Sequence, residues 1–403
     1  MDDNKDNNNK NSSVYRILKI LLIMILTSLI TCIVTIRLVR RSYLNASGMT
    51  YLSTKLGIIR NKLDKEYVGD LNEDEMLEAA VKGYVNGVGD KYTEYYNEKE
   101  MKEFLETTEG SYVGIGVYIA QASKENKIII INVIEGSSAE EAGLKAGDYI
   151  KSVDNVEYSG EELSKVSAAL KGKDEGTEAK VVVIRDSEEL EYYVKRKRIR
   201  VKSVASDVVK DNIGYIKIAT FSENTSEEFK TEYQNLKNQN ITALIIDLRN
   251  NGGGLVSESL KIAETMVDVD KVMLITSNKQ NKEKEEKSRN VPIVDVPVVI
   301  LINEYSASAS EILAGCLKED CGYKVVGKTS YGKGVIQNVY SFPDGSGMKV
   351  TTEEYFTPKH NKINKVGIIP DIEISMGEEW EKYANVPFEN DAQLQAAVEE
   401  LSK

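Results

Sequence analysis

The 403-residue sequence is short of the side chains that most often carry proton transfer, holding one histidine and three cysteines. The lone histidine, His360, sits in the polar stretch Pro358-Lys-His-Asn-Lys362, which reads as a surface turn, so the usual imidazole base for a nucleophile is poorly supplied. Cys32 falls in an apolar run, where it is most simply a small apolar residue. Cys316 and Cys321 are five apart near a helix end; in a continuous helix they point apart, so buried thiols are the simpler reading than a disulfide. Excess positive charge is missing as well. The net charge of -12 and pI near 5.0 argue against a nucleic-acid partner. The one basic run, Lys195-Arg-Lys-Arg-Ile-Arg200, reads as a solvated strand end before a domain boundary. No G-x-G-x-x-G is present, and no residue pattern calls for a metal or a cofactor.

At this length the chain can hold two or three domains, each with its own core. Met1 to Ser13 is Asn-, Asp- and Lys-rich and reads as a disordered tail. Ile20 to Ile36 carries no charge and is bounded by Lys19 and Arg37. About 17 residues is the short limit for crossing a bilayer, with the flanking cations reaching to its surface. No small-x-small cleavage signal follows, so an uncleaved anchor is expected. Charges on both flanks leave its orientation undecided. Between Tyr51 and Glu109 the apolar residues fall at three-and-four spacing, which predicts helices.

The run Val296-Pro-Val-Val-Ile-Leu-Ile302 predicts a strand buried on both faces, and the residues after Ser308 predict a helix. Serines at such a corner lie near free backbone N–H groups and the positive end of the helix, a setting that stabilises developing negative charge. Ser308-Ala-Ser-Glu311 fits an S-x-x-E capping box equally well. A lysine can serve as base where an apolar site disfavours its ammonium. Lys333, in Gly332-Lys-Gly-Val-Ile-Gln337, is the best-placed candidate.

Two stretches, Asn303-Glu-Tyr-Ser-Ala-Ser-Ala-Ser-Glu-Ile-Leu-Ala-Gly315 and Val326-Gly-Lys-Thr-Ser-Tyr-Gly-Lys-Gly-Val-Ile-Gln337, resemble the carboxy-terminal processing proteases, also called tail-specific proteases. The resemblance implies Ser308 as nucleophile, Lys333 as base and Gln337 as the residue that orients the lysine, with Ser306 and Ser310 as neighbours. Asp247 to Gly254 resembles the family's D-L-R-G-N-P-G-G, with Gly252 replacing proline. This implies an oxyanion hole from the N–H groups of Gly253 (Gly252 being the alternative) and Ala309. Only residues without side chains let backbone N–H groups come so near a carbonyl oxygen. Gly89-Asp-Lys-Tyr-Thr-Glu-Tyr-Tyr96 resembles the family's D-P-Y-S-x-Y, with Lys91 at the usual proline; there the segment is structural and often touches a dimer partner. The family resemblance also favours a catalytic part outside the cytoplasm.

Ser111 to Arg200, with Ala142-Gly-Leu-Lys-Ala-Gly-Asp-Tyr-Ile150, resembles a PDZ domain. Such domains add a peptide as an extra strand and hold its free carboxylate on loop N–H groups, here implied at Gly114, Ile115 and Gly116. The alternative is that these glycines only bend a strand. Lys171 stands where many relatives carry an arginine. Gly322-Tyr-Lys-Val-Val-Gly-Lys-Thr329 satisfies a Walker A pattern, but in a strand-like context with no helix after it, so nucleotide binding is not expected. Asn278 to Asn290 reads as an exposed loop or lid edge, and Asp391 to Leu401 as a closing helix.

The expected molecule is a multidomain α/β protein. It has a tail at 1–15, a membrane anchor at 16–41, a helical domain at 42–110, a β-rich PDZ domain at 111–200, a peptidase core with a Ser/Lys dyad at 201–376, and a C-terminal helix in 377–403. Its expected partners are protein or peptide tails with free C-termini, the membrane, and a second copy of the chain. The rival readings are a catalytically silent PDZ scaffold and an esterase that uses His360.

Overall fold

The computed structural model describes residues 3–45, 48–122, 126–172, 174–377 and 386–403. Its contacts divide the chain into two compact units, Met1–Ala80 and Val81–Lys403.

In the first unit a helix runs Asp3–Asn45. It takes in most of the stretch expected to be a disordered tail: once an apolar helix has nucleated, each residue added outward gains a hydrogen bond. Within it, Leu18–Leu38 has mean hydropathy 2.4 and is long and apolar enough to cross a membrane. The next helix, Met49–Glu66, buries no residue.

The helical domain expected over 42–110 is not one piece. The division falls inside the helix Glu73–Asn86, and Glu94–Tyr96 is a strand rather than a helix. That strand pairs antiparallel with Gly347–Phe356, with Glu94 opposite Lys349. Asn97 then caps the helix Glu98–Glu109 by accepting the Glu100 N–H at 2.9 Å, while Glu100 returns the bond to the Asn97 N–H at 3.0 Å.

Ser111–Arg200 is rich in β-strands. Ser111–Gly114 pairs with Lys197–Arg200, and between them lies a separate antiparallel sheet closed by the helix Leu163–Lys171. The alternation in Glu178–Arg185 points Ala179, Val181 and Val183 inward, against Ile130, Val153 and Val166.

The core of the remaining chain is a six-stranded sheet in the order Val204–Val209, Ile213–Ile218, Ala243–Asp247, Val298–Ile302, Lys324–Gly327, Ile372–Glu373. All its pairings are parallel except the first. Every residue of Val298–Ile302 is buried, which explains the unbroken apolar run. Val298, Ile300 and Ile302 face one cluster with Phe229, Ile262 and Leu313; Val299 and Leu301 face another with Leu394, Ala397 and Val398 of the closing helix Ala392–Leu401.

A second sheet joins Glu94–Tyr96, Gly347–Phe356, Val335–Ser341, Val272–Asn278 and Glu283–Lys287. The last of these corrects the exposed loop expected at 278–290, because pairing with Val272–Asn278 makes a strand of Glu-Lys-Glu-Glu-Lys despite its low β-propensity. Lys324–Gly327 is a strand with no helix directly after it, the wrong setting for a phosphate loop. Cys316 is a buried free thiol and Cys321 a partly buried one.

Candidate active site

The buried strand Val298–Ile302 delivers the chain to a tight corner, and the helix Ala309–Asp320 starts just after Ser308. Ser308 holds φ 56° and ψ −115°, a conformation that residues with a Cβ rarely adopt and that marks strained, functional corners. Its two serine neighbours are structural. Ser306 Oγ donates to the Leu248 carbonyl at 2.8 Å, and Ser310 Oγ donates to the Asn251 carbonyl at 2.9 Å, so both hydroxyls lash the corner to the glycine loop. The Ser308 side chain takes part in the capping box, accepting the Glu311 N–H while the Glu311 carboxylate accepts the Ser308 N–H.

Glu311 is the residue whose part went unread. Its place in an S-x-x-E box suggested a helix cap, and it does accept the Ser308 N–H, at 2.8 Å. The same oxygen accepts the Lys333 N–H at 2.9 Å, and the other oxygen takes the Gly332 N–H at 2.7 Å and the Ser330 hydroxyl at 2.6 Å. One fully buried carboxylate thus fastens the serine corner to the lysine loop. Burial pushes its carboxyl above the ordinary range, against the pull of these hydrogen bonds. Buried Tyr355 makes a second fastening, its hydroxyl donating to the Ser308 carbonyl at 3.1 Å and to that of Lys333.

Lys333 is half-buried, and its amine lies over the Tyr92 ring, 4.9 Å from the centroid. Burial first, and the nearby Lys349 cation second, lower its pKa from the ordinary 10.5; Glu94 and Glu311 work the other way. Its amine and the Ser308 hydroxyl are not hydrogen-bonded to each other among the described contacts. Among the described contacts Gln337 makes no hydrogen bond to Lys333 either. Its amide donates to the Val335 carbonyl at 3.1 Å, next to a register irregularity between Ile336 and Gln337.

The glycine loop packs closely against the serine corner. A Cβ on Gly253 would stand 2.8 Å from both Ser308 Cβ and the Ala307 carbonyl, and 3.1 Å from the Ala309 nitrogen, and Gly253 has φ +105°. Only glycine fits there. The Ala309 N–H has no acceptor among the described residues. The Gly253 N–H, however, donates to Asn251 Oδ1 at 2.8 Å, so it is occupied in this state. Asn251 is itself fully buried, and its amide group donates to the Ile218 carbonyl at 2.8 Å.

Behind this loop Arg249 bonds Asp247 (2.6 Å) and Asp391 (2.8 Å), while Tyr215 donates to Asp247 at 2.6 Å. Burial opposes the Arg249 charge, but the two carboxylates overcome it and hold its pKa above the ordinary value. A cavity of about 450 Å³ opens beside this cluster, not at Ser308. With its guanidinium engaged on Asp247, Asp391 and Gln393, Arg249 offers no free anion cradle there.

In the β-rich domain Gly114, Ile115 and Gly116 line a slot of about 50 Å³ together with Val117, Ile119 and Leu170. Gly116 has φ +89°, and a Cβ there would strike Ser137 at 2.2 Å. Lys171 lies over the Tyr112 ring at 5.0 Å and pairs with Glu106 at 3.5 Å. His360 bonds Glu283 at 2.9 Å and stacks on Phe356, an exposed setting with no serine partner among the described contacts.

A parallel-sheet core with a serine at a strained strand-to-helix corner, joined to a β-rich module built like a PDZ domain, defines a PDZ-containing peptidase. The comparisons agree: residues 212–374 match Peptidase family S41 and residues 113–195 match the PDZ domain. The chain is 30% identical over 335 residues to "Carboxy-terminal processing protease CtpA" of Bacillus subtilis (strain 168), covering 83% of this chain and 70% of that protein. It is 36% identical over 315 residues to a "Probable CtpA-like serine protease" of Staphylococcus haemolyticus, covering 78% of this chain and 63% of that one, so it spans a little under two thirds of that relative's length. The structure of a "Putative S41 protease from Bacteroides fragilis" shares the fold, with TM-score 0.51 at 16% identity over 84% of this chain and 92% of that one. The chain therefore belongs to the carboxy-terminal processing proteases of peptidase family S41.

Proposed function

We propose that the chain is a Ser/Lys endopeptidase that cuts proteins near their C-termini. The observation that carries the reading is the buried Glu311 oxygen that accepts the N–H of both Ser308 and Lys333. Neutral Lys333 takes the Ser308 hydroxyl proton as the oxygen adds to a peptide carbonyl. The Ala309 N–H stabilises the oxyanion, joined by the Gly253 N–H once Asn251 releases it. Lys333 then gives its proton to the leaving amine as the C–N bond breaks, and water hydrolyses the acyl-enzyme. The Gly114–Gly116 loop recognises the substrate's C-terminal tail, and Leu18–Leu38 anchors the chain with its catalytic part outside the cytoplasm.

A second reading has observations of its own. The occupied Gly253 N–H and the position of Gln337 also suit a peptide-binding scaffold without activity. One experiment separates the two: cleavage of a poorly folded substrate, with and without its last few residues, by wild type, Ser308→Ala and Lys333→Ala. The proposal expects cleavage by wild type, weaker when the tail is removed, and none by either variant. Cleavage that survives both substitutions rejects the dyad, and no cleavage by wild type favours the scaffold.

A further inference from the structure

The residue on which the Lys333 side chain rests comes from far away in the sequence. With Gln337 on Val335, the group over the amine is Tyr92, and that residue is part of a built cluster. Lys91 Nζ lies 4.8 Å from the Tyr92 ring and 4.9 Å from the Tyr331 ring, and donates to the Tyr331 hydroxyl at 2.9 Å. Tyr331 is two positions from Lys333. The turn that presents Tyr92 is fixed from below: Asp90 accepts the Tyr92 N–H at 3.3 Å and the Thr93 hydroxyl at 2.7 Å, and buried Thr93 accepts the Thr351 N–H at 3.2 Å. Glu94 then pairs with Lys349 at 2.7 Å.

We propose that Tyr92 is a positioning residue for Lys333, holding the amine against its ring, and that Lys91, clasped to Tyr331, keeps that ring in place. The inference rests on the reading of Lys333 as the base. An aromatic face does two things to an amine: it excludes water, which favours the neutral form, and it attracts the ammonium. The charged groups facing Lys333 are Lys349 and Lys91, which disfavour its protonation, and Glu94 and Glu311, which favour it. Burial is the largest of these effects, so opening the ring side to water raises the amine's pKa. Lys91 adds a second cation to this side of the site.

The test is kcat/KM against pH for the full chain on one unfolded substrate, comparing wild type with Tyr92→Phe, Tyr92→Ala, Lys91→Gln and Lys333→Ala. Tyr92→Ala should move the acid limb up by about one pH unit, a loss of about tenfold on that limb that is recovered at higher pH. Lys91→Gln should move it the same way by less, and Tyr92→Phe should keep the wild-type limb. An equal loss at every pH in Tyr92→Ala overturns the positioning role, and an unmoved limb in Lys91→Gln overturns the clasp. Should Tyr92→Ala not fold, Lys91→Gln still decides, because that side chain is exposed. Activity in Lys333→Ala would remove the base assignment, and this inference with it. An inactive Lys333→Ala beside unmoved limbs in the other variants sinks this inference alone.

Discussion

Replacing Glu311 with alanine removes one buried acceptor from the N–H groups of Ser308, Gly332 and Lys333 and from the Ser330 hydroxyl. The hydroxyl can turn away, but the three N–H groups are fixed by their backbones. Each donor left unsatisfied costs about 1–3 kcal/mol where water cannot reach it. Against that stands relief from desolvating a carboxylate, worth several kcal/mol. The net loss should be about 3 kcal/mol. Glu311→Gln is gentler. Its NH2 can face the oxygen of Ser330, which already accepts the Ile368 N–H at 2.6 Å, so only the Gly332 N–H is left facing a donor. That variant should lose about 1–2 kcal/mol, one unsatisfied donor. The effect on turnover is larger than on stability, since misplacing reacting groups by about 1 Å can cost about 100-fold. Urea melts and cleavage of an unfolded substrate measure the two quantities. Glu311→Ala with stability within about 0.5 kcal/mol of wild type and undiminished cleavage would refute the view that this carboxylate joins the two loops.

If Lys333 is the base, kcat/KM rises with pH through its lowered pKa, below the ordinary 10.5, because only the neutral amine accepts a proton. A profile flat from mildly acidic to alkaline pH would contradict it. The same lowering means the unfolded chain keeps a proton that the folded one releases, so stability from this group rises with pH across that window. Arg249→Ala leaves Asp247 and Asp391 buried without their partner and should destabilise the core by about 3–5 kcal/mol, read in a urea melt. Gly253→Ala should abolish cleavage at any pH, because its methyl group would meet the Ser308 Cβ and the Ala307 carbonyl at 2.8 Å in a backbone with φ +105°; cleavage at wild-type rates would show that the loop moves away during catalysis.

What could be read from the sequence were the parts whose causes are local. Val298–Ile302 announces itself because both faces are buried, and the inward Val181 and Val183 follow a period of two. The closing helix begins where Asp391 caps it, accepting the Leu394 N–H at 2.9 Å. The motifs likewise located both loops of the site. The details that decide its chemistry depend on residues far apart. Glu311 satisfies a local cap, and this concealed its bonds to a loop some 20 positions on. Lys91 and Tyr331 meet across 240 positions, and Asp391 reaches Arg249 across 142. No periodicity encodes such contacts.

The same distinction explains Gln337 and Gly253. Their positions were legible, but whether a given amide or N–H is free depends on which acceptor the folded chain presents to it. In this state Val335 and Asn251 are those acceptors. A serine engaged in its helix cap, an amine on an aromatic ring and a Gly253 N–H occupied by Asn251 form one consistent arrangement. Each element of the proposed machinery is within its loop but engaged elsewhere, so a tail bound at the β-rich domain would have few bonds to exchange, rather than a fold to rebuild, before Ser308 could act.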